Sequence, residues 1–350
     1  MSDPIFLYDE YYGGNTTGKP SILNRRQQII LKNPSKTAML VTDIRFMIIT
    51  NDDNDPSFGQ DGFRVRIRVG NYDVTDGDVP IVLLCPRTSP AYVFRRGQGL
   101  FSISLGWKLP KPLYVPRNGQ VTFDFTYAND ATVPAASLPS KYYDAMQIGV
   151  GLAGTALDSD AVVPHTVQVP YAKAWLTPPG AGASIGRTGA GCDYGKIDAK
   201  SGVSDLVNTR KWPLHLNHMM ICSTVFNTSF SIDCPDDAFA GYEDSPQLAP
   251  SALGVPLSPL PASGIRMQAR DTRGGFIVRD TTPIAMVFNI PERSWKMNTI
   301  LAPNNYILLT LTGAWEATYT GGTRQGLGIR LGFALLGYHD VPIADLGVSL

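Results

Sequence analysis

Trp107-Lys108-Leu109, then Pro116, Asn118-Gly119 and the alternating run Val121-Thr122-Phe123-Asp124-Phe125-Thr126 make up one stretch of this chain. Trp295-Lys296-Met297, Pro303, Asn304-Asn305 and Ile307-Leu308-Leu309-Thr310-Leu311-Thr312 make up a second. The tryptophans lie about 188 positions apart and the prolines about 187, so register is kept within one residue. Each copy reads as a tight turn feeding a strand with one buried face, because side chains on a strand alternate sides.

The correspondence extends in both directions. Downstream, Gln147-Ile148-Gly149-Val150-Gly151-Leu152-Ala153-Gly154 aligns with Arg330-Leu331-Gly332-Phe333-Ala334-Leu335-Leu336-Gly337. Upstream, Asp78-Val79-Pro80-Ile81-Val82-Leu83-Leu84 resembles Thr281-Thr282-Pro283-Ile284-Ala285-Met286-Val287. The order of blocks is the same in both halves, and a period this long suits two domains rather than a solenoid or a propeller blade.

A chain of 350 residues is long enough to bury roughly three-quarters of its unfolded surface. Hydrophobic residues make up 43% and charged residues only 17%, the latter below the usual ~25%. The 30 basic and 30 acidic residues leave no global field to attract nucleic acid. With 27 prolines and 34 glycines, the composition favours many strands joined by turns, with surface covered by other chains. Met1-Ser2-Asp3-Pro4 has neither the basic start nor the apolar stretch of a secretory signal, and no run has the length of a membrane span. Cys85, Cys192, Cys222 and Cys234 form no CxxC pair and are expected as reduced thiols.

Taken in order, residues 1–24 are expected to be an N-terminal arm. Phe6, Leu7, Tyr8, Tyr11 and Tyr12 supply apolar area ahead of the polar, glycine-rich tract from Gly13 to Gly18. The first domain is expected over 25–157, with strands at Gln28–Leu31, Ala38–Val41, Ile44–Ile49 and Phe63–Val69. The last of these alternates apolar residues with arginines, which suits a solvated face paired with carboxylates across strands. Val79–Cys85 is a continuous apolar run of the kind a fully buried strand shows. Residues 158–212 read as a Gly/Pro-rich linker in which Val167 and Val169 suggest an added strand, with one short helical candidate at Asp198–Asn208; 213–340 reads as the second domain and 341–350 as a tail.

Candidate chemistry is sparse. Asp52-Asp53-Asn54-Asp55-Pro56, with Gly59 and Asp61, lacks calcium-loop spacing and reads as an acidic surface loop. The glycines between Gly180 and Gly191 are followed by no Lys-Ser/Thr pair, as a phosphate loop requires. His215 and His218 would share a face on a helix but point to opposite faces on a strand. Neither GxSxG nor HExxH occurs. Asp73, Asp124, Glu243 and Glu316 are scattered acids that the sequence does not pair. No catalytic, cofactor-binding or metal-binding residue is therefore assigned.

Two copies of about eight short strands, each with a Pro-Ile/Val run, a proline ahead of an Asn-Gly-like turn and a final strand rich in small residues, resemble the double jelly-roll major capsid proteins of tailless icosahedral viruses and bacteriophages. The resemblance implies an all-β fold of two tandem eight-stranded jelly-roll sandwiches. It also implies a non-enzymatic virion protein without cofactor, made in the host cytoplasm, whose homotrimers build an icosahedral shell. Partners would be further copies of the chain, minor capsid proteins or an internal membrane, with no sequence-specific nucleic acid. The arm would reach neighbours through Phe6, Leu7, Tyr8, Tyr11 and Tyr12, and 51–62, 128–144 and 236–262 would form towers. Alternatives are a virion spike or carbohydrate-binding protein, and a tandem jelly-roll amidase resembling peptide N-glycosidases. Copper monooxygenases of this architecture need more histidines than the four present.

Overall fold

The computed structural model describes residues 3–13, 26–50, 63–85, 87–88, 93–95, 100–127, 146–158, 165–176, 184–185, 192–194, 206–227, 265–288, 294–315 and 327–346. The first sandwich runs β1 (Pro4–Gly13), β2 (Gln27–Lys32), β3 (Met39–Thr50), β4 (Phe63–Val69), β5 (Tyr72–Asp73), β6 (Val79–Pro80) and a helical turn α1 (Ile81–Leu84). It continues through β7 (Arg87–Thr88), β8 (Val93–Arg95), β9 (Leu100–Val115), β10 (Gln120–Tyr127) and β11 (Met146–Ala156). The second runs β12 (Thr166–Leu176), β13 (Ser184–Ile185), β14 (Cys192–Tyr194), β15 (Leu214–Asn227), β16 (Ile265–Asp271), β17 (Phe276–Pro283), β18 (Ser294–Leu301), β19 (Ile307–Trp315) and β20 (Leu327–Pro342).

Strand order makes the two halves the same fold. One sheet of the first sandwich is β1-β11-β3-β9, with the short β7 and β8 also on β9, and its counterpart is β12-β20-β15-β18, with the short β13 also on β20. The facing sheets are β2-β10-β4-β5 and β14-β19-β16-β17. In each half the first strand pairs with the last, and β2 and β14 pair with the next-to-last strands β10 and β19, which is the nesting of a jelly roll. Trp107 lies opposite Ile44 and Trp295 opposite Met219 in equivalent strand pairs. The turns match too: Gly119 N–H donates to Pro116 O at 2.9 Å and Asn305 N–H to Ala302 O at 3.0 Å, with Asn118 and Asn304 at φ 58° and 62°.

The long strands bend through bulges. In β3, Met39 and Val41 face the core, Thr42 is the extra residue, and Ile44 and Phe46 regain the core face. In β15, Leu214 and Leu216 face inward, Asn217 is extra, and Met219 and Ile221 follow. An inserted residue turns the strand and resets the alternation. That is why the sequence reads as two short strands on either side of Thr42 where one continuous strand exists. Phe46 from one sheet meets the edges of Phe123 and Phe125 from the other, with centroids 6.4 Å away in each case. Burial of such a side chain contributes about 1.5–3 kcal/mol.

Three expected boundaries and one expected strand are corrected. Pro4–Gly13 is not an arm outside the barrel but its first strand, paired along its length with β11. The stretch expected as a linker contains β12, β13 and β14, because the second barrel also needs strands to pair with β20 and β19. The expected tail carries a 3-10 turn, Ile343–Leu346, whose Ile343 and Leu346 are buried. Val79, Ile81, Leu83, Leu84 and Cys85 are buried as expected, but only Val79–Pro80 is strand, and α1 follows. A short apolar run does not distinguish a buried strand from a buried helical turn by pattern alone. The expected helix at Asp198–Asn208 lies mostly outside the described residues; at its end Val207 forms a bridge to Tyr306.

Candidate functional site

Two surfaces carry the chemistry of the described residues: the outer side of β1 and the joint between the barrels. On β1, Ile5, Leu7 and Tyr11 pack partly buried against the core, while Phe6 and Tyr8 remain 57% and 48% exposed. Their rings lie across the glycines of β11: a Cβ on Gly151 would come within 2.8 Å of the Phe6 ring, and one on Gly149 within 2.7 Å of the Tyr8 hydroxyl. The Arg45 guanidinium stands 5.7 Å from the Phe6 centroid, within cation–π range. The Tyr8 hydroxyl donates to Glu10 Oε2 at 2.5 Å, and Gln147 Nε2 donates to the same oxygen. Burial against the sheet and the Glu10 carboxylate push the Tyr8 phenol up to about 12. Tyr12 pairs with Gln147 at the end of the strand.

The predicted site residues thus share one edge strand, split by its pleat. Leu7 and Tyr11 serve the barrel, whereas Phe6 and Tyr8 face outward. The sequence displays the apolar residues but not this division, because their neighbours on β11 are about 140 positions away.

At the joint, segment 74–76 of the first barrel runs beside β12 of the second. Thr75 forms a parallel bridge to Ala172; Ala172 N–H donates to Val74 O at 2.9 Å, and Asp76 N–H to Ala172 O at 2.7 Å. Asp76 Oδ2 accepts from Tyr171 Oη at 2.9 Å, Lys173 Nζ at 2.9 Å and Thr209 Oγ1 at 2.6 Å, all from the second barrel. Burial works against its charge, but the Thr209, Lys173 and Tyr171 donors win and hold the carboxyl at about 2. Arg210 lies 3.9 Å from Asp76 and 3.8 Å from Asp73, over the rings of Tyr72 and Tyr171. His339 is fully buried with its ring edge-on to Tyr171, its Nδ1 2.9 Å from Pro213 O, and burial pushes it down to about 4. A carboxylate held this firmly in its charged state joins barrels; it does not deliver protons near neutrality.

The arginine stripe of β4 meets carboxylates as the alternation predicts: Arg66 bonds to both oxygens of Asp73, and Arg68 Nη2 donates to Asp124 Oδ2 at 2.7 Å. Asp73 and Asp124, unpaired in the sequence, are therefore ion-paired, while Glu243, Glu316, the Asp52–Asp61 loop and the three expected towers lie outside the described residues. His215 stacks on Tyr338 and pairs with Asp340 at 3.1 Å. Among the described residues no three His, Cys, Asp or Glu side chains gather as a metal site.

No protein-family model matches the chain, and no curated protein sequence does. Among solved structures, the chain is similar to the STIV MCP at 11% identity, covering 100% of both chains, with a TM-score of 0.45. It is similar to a chain of the Sputnik virophage at 8% identity, covering 97% of this chain and 86% of that one, with a TM-score of 0.42. A peptide-N(4)-(N-acetyl-beta-D-glucosaminyl) asparagine amidase matches at 10% identity over 98% of each chain, with a TM-score of 0.26. The fold assignment stands on strand order and register.

Proposed function

We propose that the chain is the major capsid protein of a virus or bacteriophage, with three copies forming a pseudo-hexameric trimer that tiles an icosahedral shell. The observation that carries this reading is an asymmetry between two equivalent barrels. The outer face of the β12-β20-β15 sheet, with Ala172, Met220, Ala334 and Leu336, is buried against the first barrel. The equivalent face of the first barrel, with Phe6 and Tyr8, is uncovered in the single chain. A block that covers one of two matching faces internally has a surface left for another copy, and such head-to-tail contacts close into rings.

The joint supports the same reading, since its shared core and the Asp76 contacts make a rigid building block. The carbohydrate-binding and amidase alternatives need an open polar or acidic site, whereas the acids at this joint are engaged with Lys173, Arg210 and Arg66. Minor capsid proteins and an internal membrane are further partners under this proposal. Electron microscopy of the expressed protein tests it: closed shells or six-sided capsomers are expected, and a dispersed monomer at high concentration would count against it.

A further inference from the structure

The joint inside the chain has residue-by-residue counterparts on the outside of the molecule. Gly154 and Gly337 are equivalent by their bulges, so Ala153 corresponds to Leu336. Phe6 pairs with Ala153 and Ala172 with Leu336, so Phe6 occupies on the first barrel the place of Ala172 on the second. By the same register Tyr8 corresponds to Ala174. Ala172 is fully buried at the joint, whereas Phe6 and Tyr8 are exposed.

The opposite side of the joint is also duplicated. Pro80-Ile81 leads into α1 as Pro283-Ile284 leads into the helical turn Ile284–Val287. Leu83 thereby corresponds to Met286, and Val74 to Ile277. Leu83 and Val74 are 0% exposed, α1 lying against β15 and β20; Met286 is 78% and Ile277 37% exposed. Among the described residues the exposed large hydrophobics are Phe6, Tyr8, Ile30, Phe276, Ile277, Met286 and Ile300. All but Ile30 and Ile300 fall on these two surfaces. Charge also differs in sign between them: Asp9 and Glu10 are exposed on β1, and Arg273 and Arg279 are exposed beside Ile277.

We propose that β1 and the face bearing Phe6 and Tyr8 receive the β17 and Ile284–Val287 side of a second copy, repeating between chains the joint that α1 and segment 74–76 make within one. Met286 takes the part of Leu83, and Ile277 that of Val74. Arg279, the counterpart of Asp76, is opposite in charge to the exposed Asp9 and Glu10 of β1, so charge complementarity across the contact is kept with its sign reversed. This rests on the trimer reading and names the surfaces that would build it.

The test compares full-length Phe6→Glu, Ile277→Glu and Met286→Glu variants with Ile30→Glu and Ile300→Glu controls by sedimentation velocity over a concentration series. Circular dichroism and thermal melting establish folding of each. The three variants are expected to raise the half-assembly concentration by roughly tenfold or more while the controls assemble normally. A second readout mixes Phe6→Cys protein with Met286→Cys protein under mild oxidation, with wild-type protein under the same conditions marking any background from the native cysteines. A covalent dimer specific to the mixture is expected. A wild-type monomer would refute the trimer itself. A wild-type trimer that survives the three substitutions, or one abolished by Ile300→Glu alone, would overturn this surface and leave the trimer standing.

Discussion

Gly154 and Gly337 hold the same place in the two barrels: a Cβ at either would lie 2.2 Å from a carbonyl oxygen, Leu40 O in one and His215 O in the other. Each sits where the last strand passes the bulge of β3 or of β15, and the bulge brings backbone against backbone. Only a residue without a side chain fits, and two barrels with the same constraint are expected to respond alike. Gly154→Ala and Gly337→Ala should each destabilise by about 1–3 kcal/mol or more, as overpacking against an immobile carbonyl does. Gly106→Ala, with no atom within 4 Å of the new Cβ, should be close to neutral. Urea denaturation of the three variants checks this; equal midpoints would contradict it.

A second pair is polar. Asn33 and Asn208 are both buried just ahead of β3 and β15, equivalent strands of the two barrels. Asn33 Nδ2 donates to Thr37 O, Val115 O and Pro116 O, and Asn208 Nδ2 donates to Trp212 O and Leu301 O; each Oδ1 accepts from the backbone N–H two residues on. Each asparagine ties the loop before β3 or β15 to the turn carrying Asn118 or Asn304. Replacing either by alanine leaves buried carbonyls without donors and should cost roughly 2–4 kcal/mol. Thermal melting of Asn33→Ala and Asn208→Ala checks this, and a loss under half a kcal/mol in both would contradict it.

Acid should loosen the molecule in two steps. His339 is held down to about 4 from 6.5, so between those values the unfolded chain takes up its proton first. Its contribution is complete above 6.5 and is lost as pH falls towards 4, on the order of 3 kcal/mol at most. Asp76, held at about 2 against 3.8, contributes fully above 3.8, and that contribution is lost as pH falls through 2. Urea midpoints of wild type should therefore drop between pH 7 and pH 4.5, and those of His339→Phe should drop less. Parallel slopes would refute the assignment to His339.

Deleting residues 1–13 separates a strand from an arm. Removing β1 strips the hydrogen-bonding edge of β11 and uncovers the core beneath Ile5, Leu7 and Tyr11. The truncated chain should melt several degrees lower, in keeping with ~4–8 °C per kcal/mol for a small domain and less for a larger one. Unchanged melting would mean that β1 adds nothing to the barrel.

Much of this was legible in the sequence, for identifiable reasons. The Trp107 and Trp295 units show because a turn with Asn at positive φ and a period-two strand are local signals. The match of Gly154 with Gly337 also survives in the alignment of the last strands, although its cause, a carbonyl at 2.2 Å, does not. Asn33 is invisible because its acceptors Val115 and Pro116 lie more than 80 residues away. β1 resembles an arm because Phe6 and Tyr8 face outward and its partner strand lies at the far end of the domain. β12 gives a weak strand signal at Val167 and Val169, and the glycines after Pro178 make the stretch around it read as a linker. The joint at Asp76 depends on four side chains from segments about 95 to 134 positions away.

The central claim is that two equivalent barrels form a block built to associate in threes, and the mass of the assembled protein in solution tests it most directly. Multi-angle light scattering on the full chain should give a species of three times the 38.0 kDa subunit, or closed particles built from it. A single species at the subunit mass, unchanged at high protein concentration and neutral pH, would contradict the account.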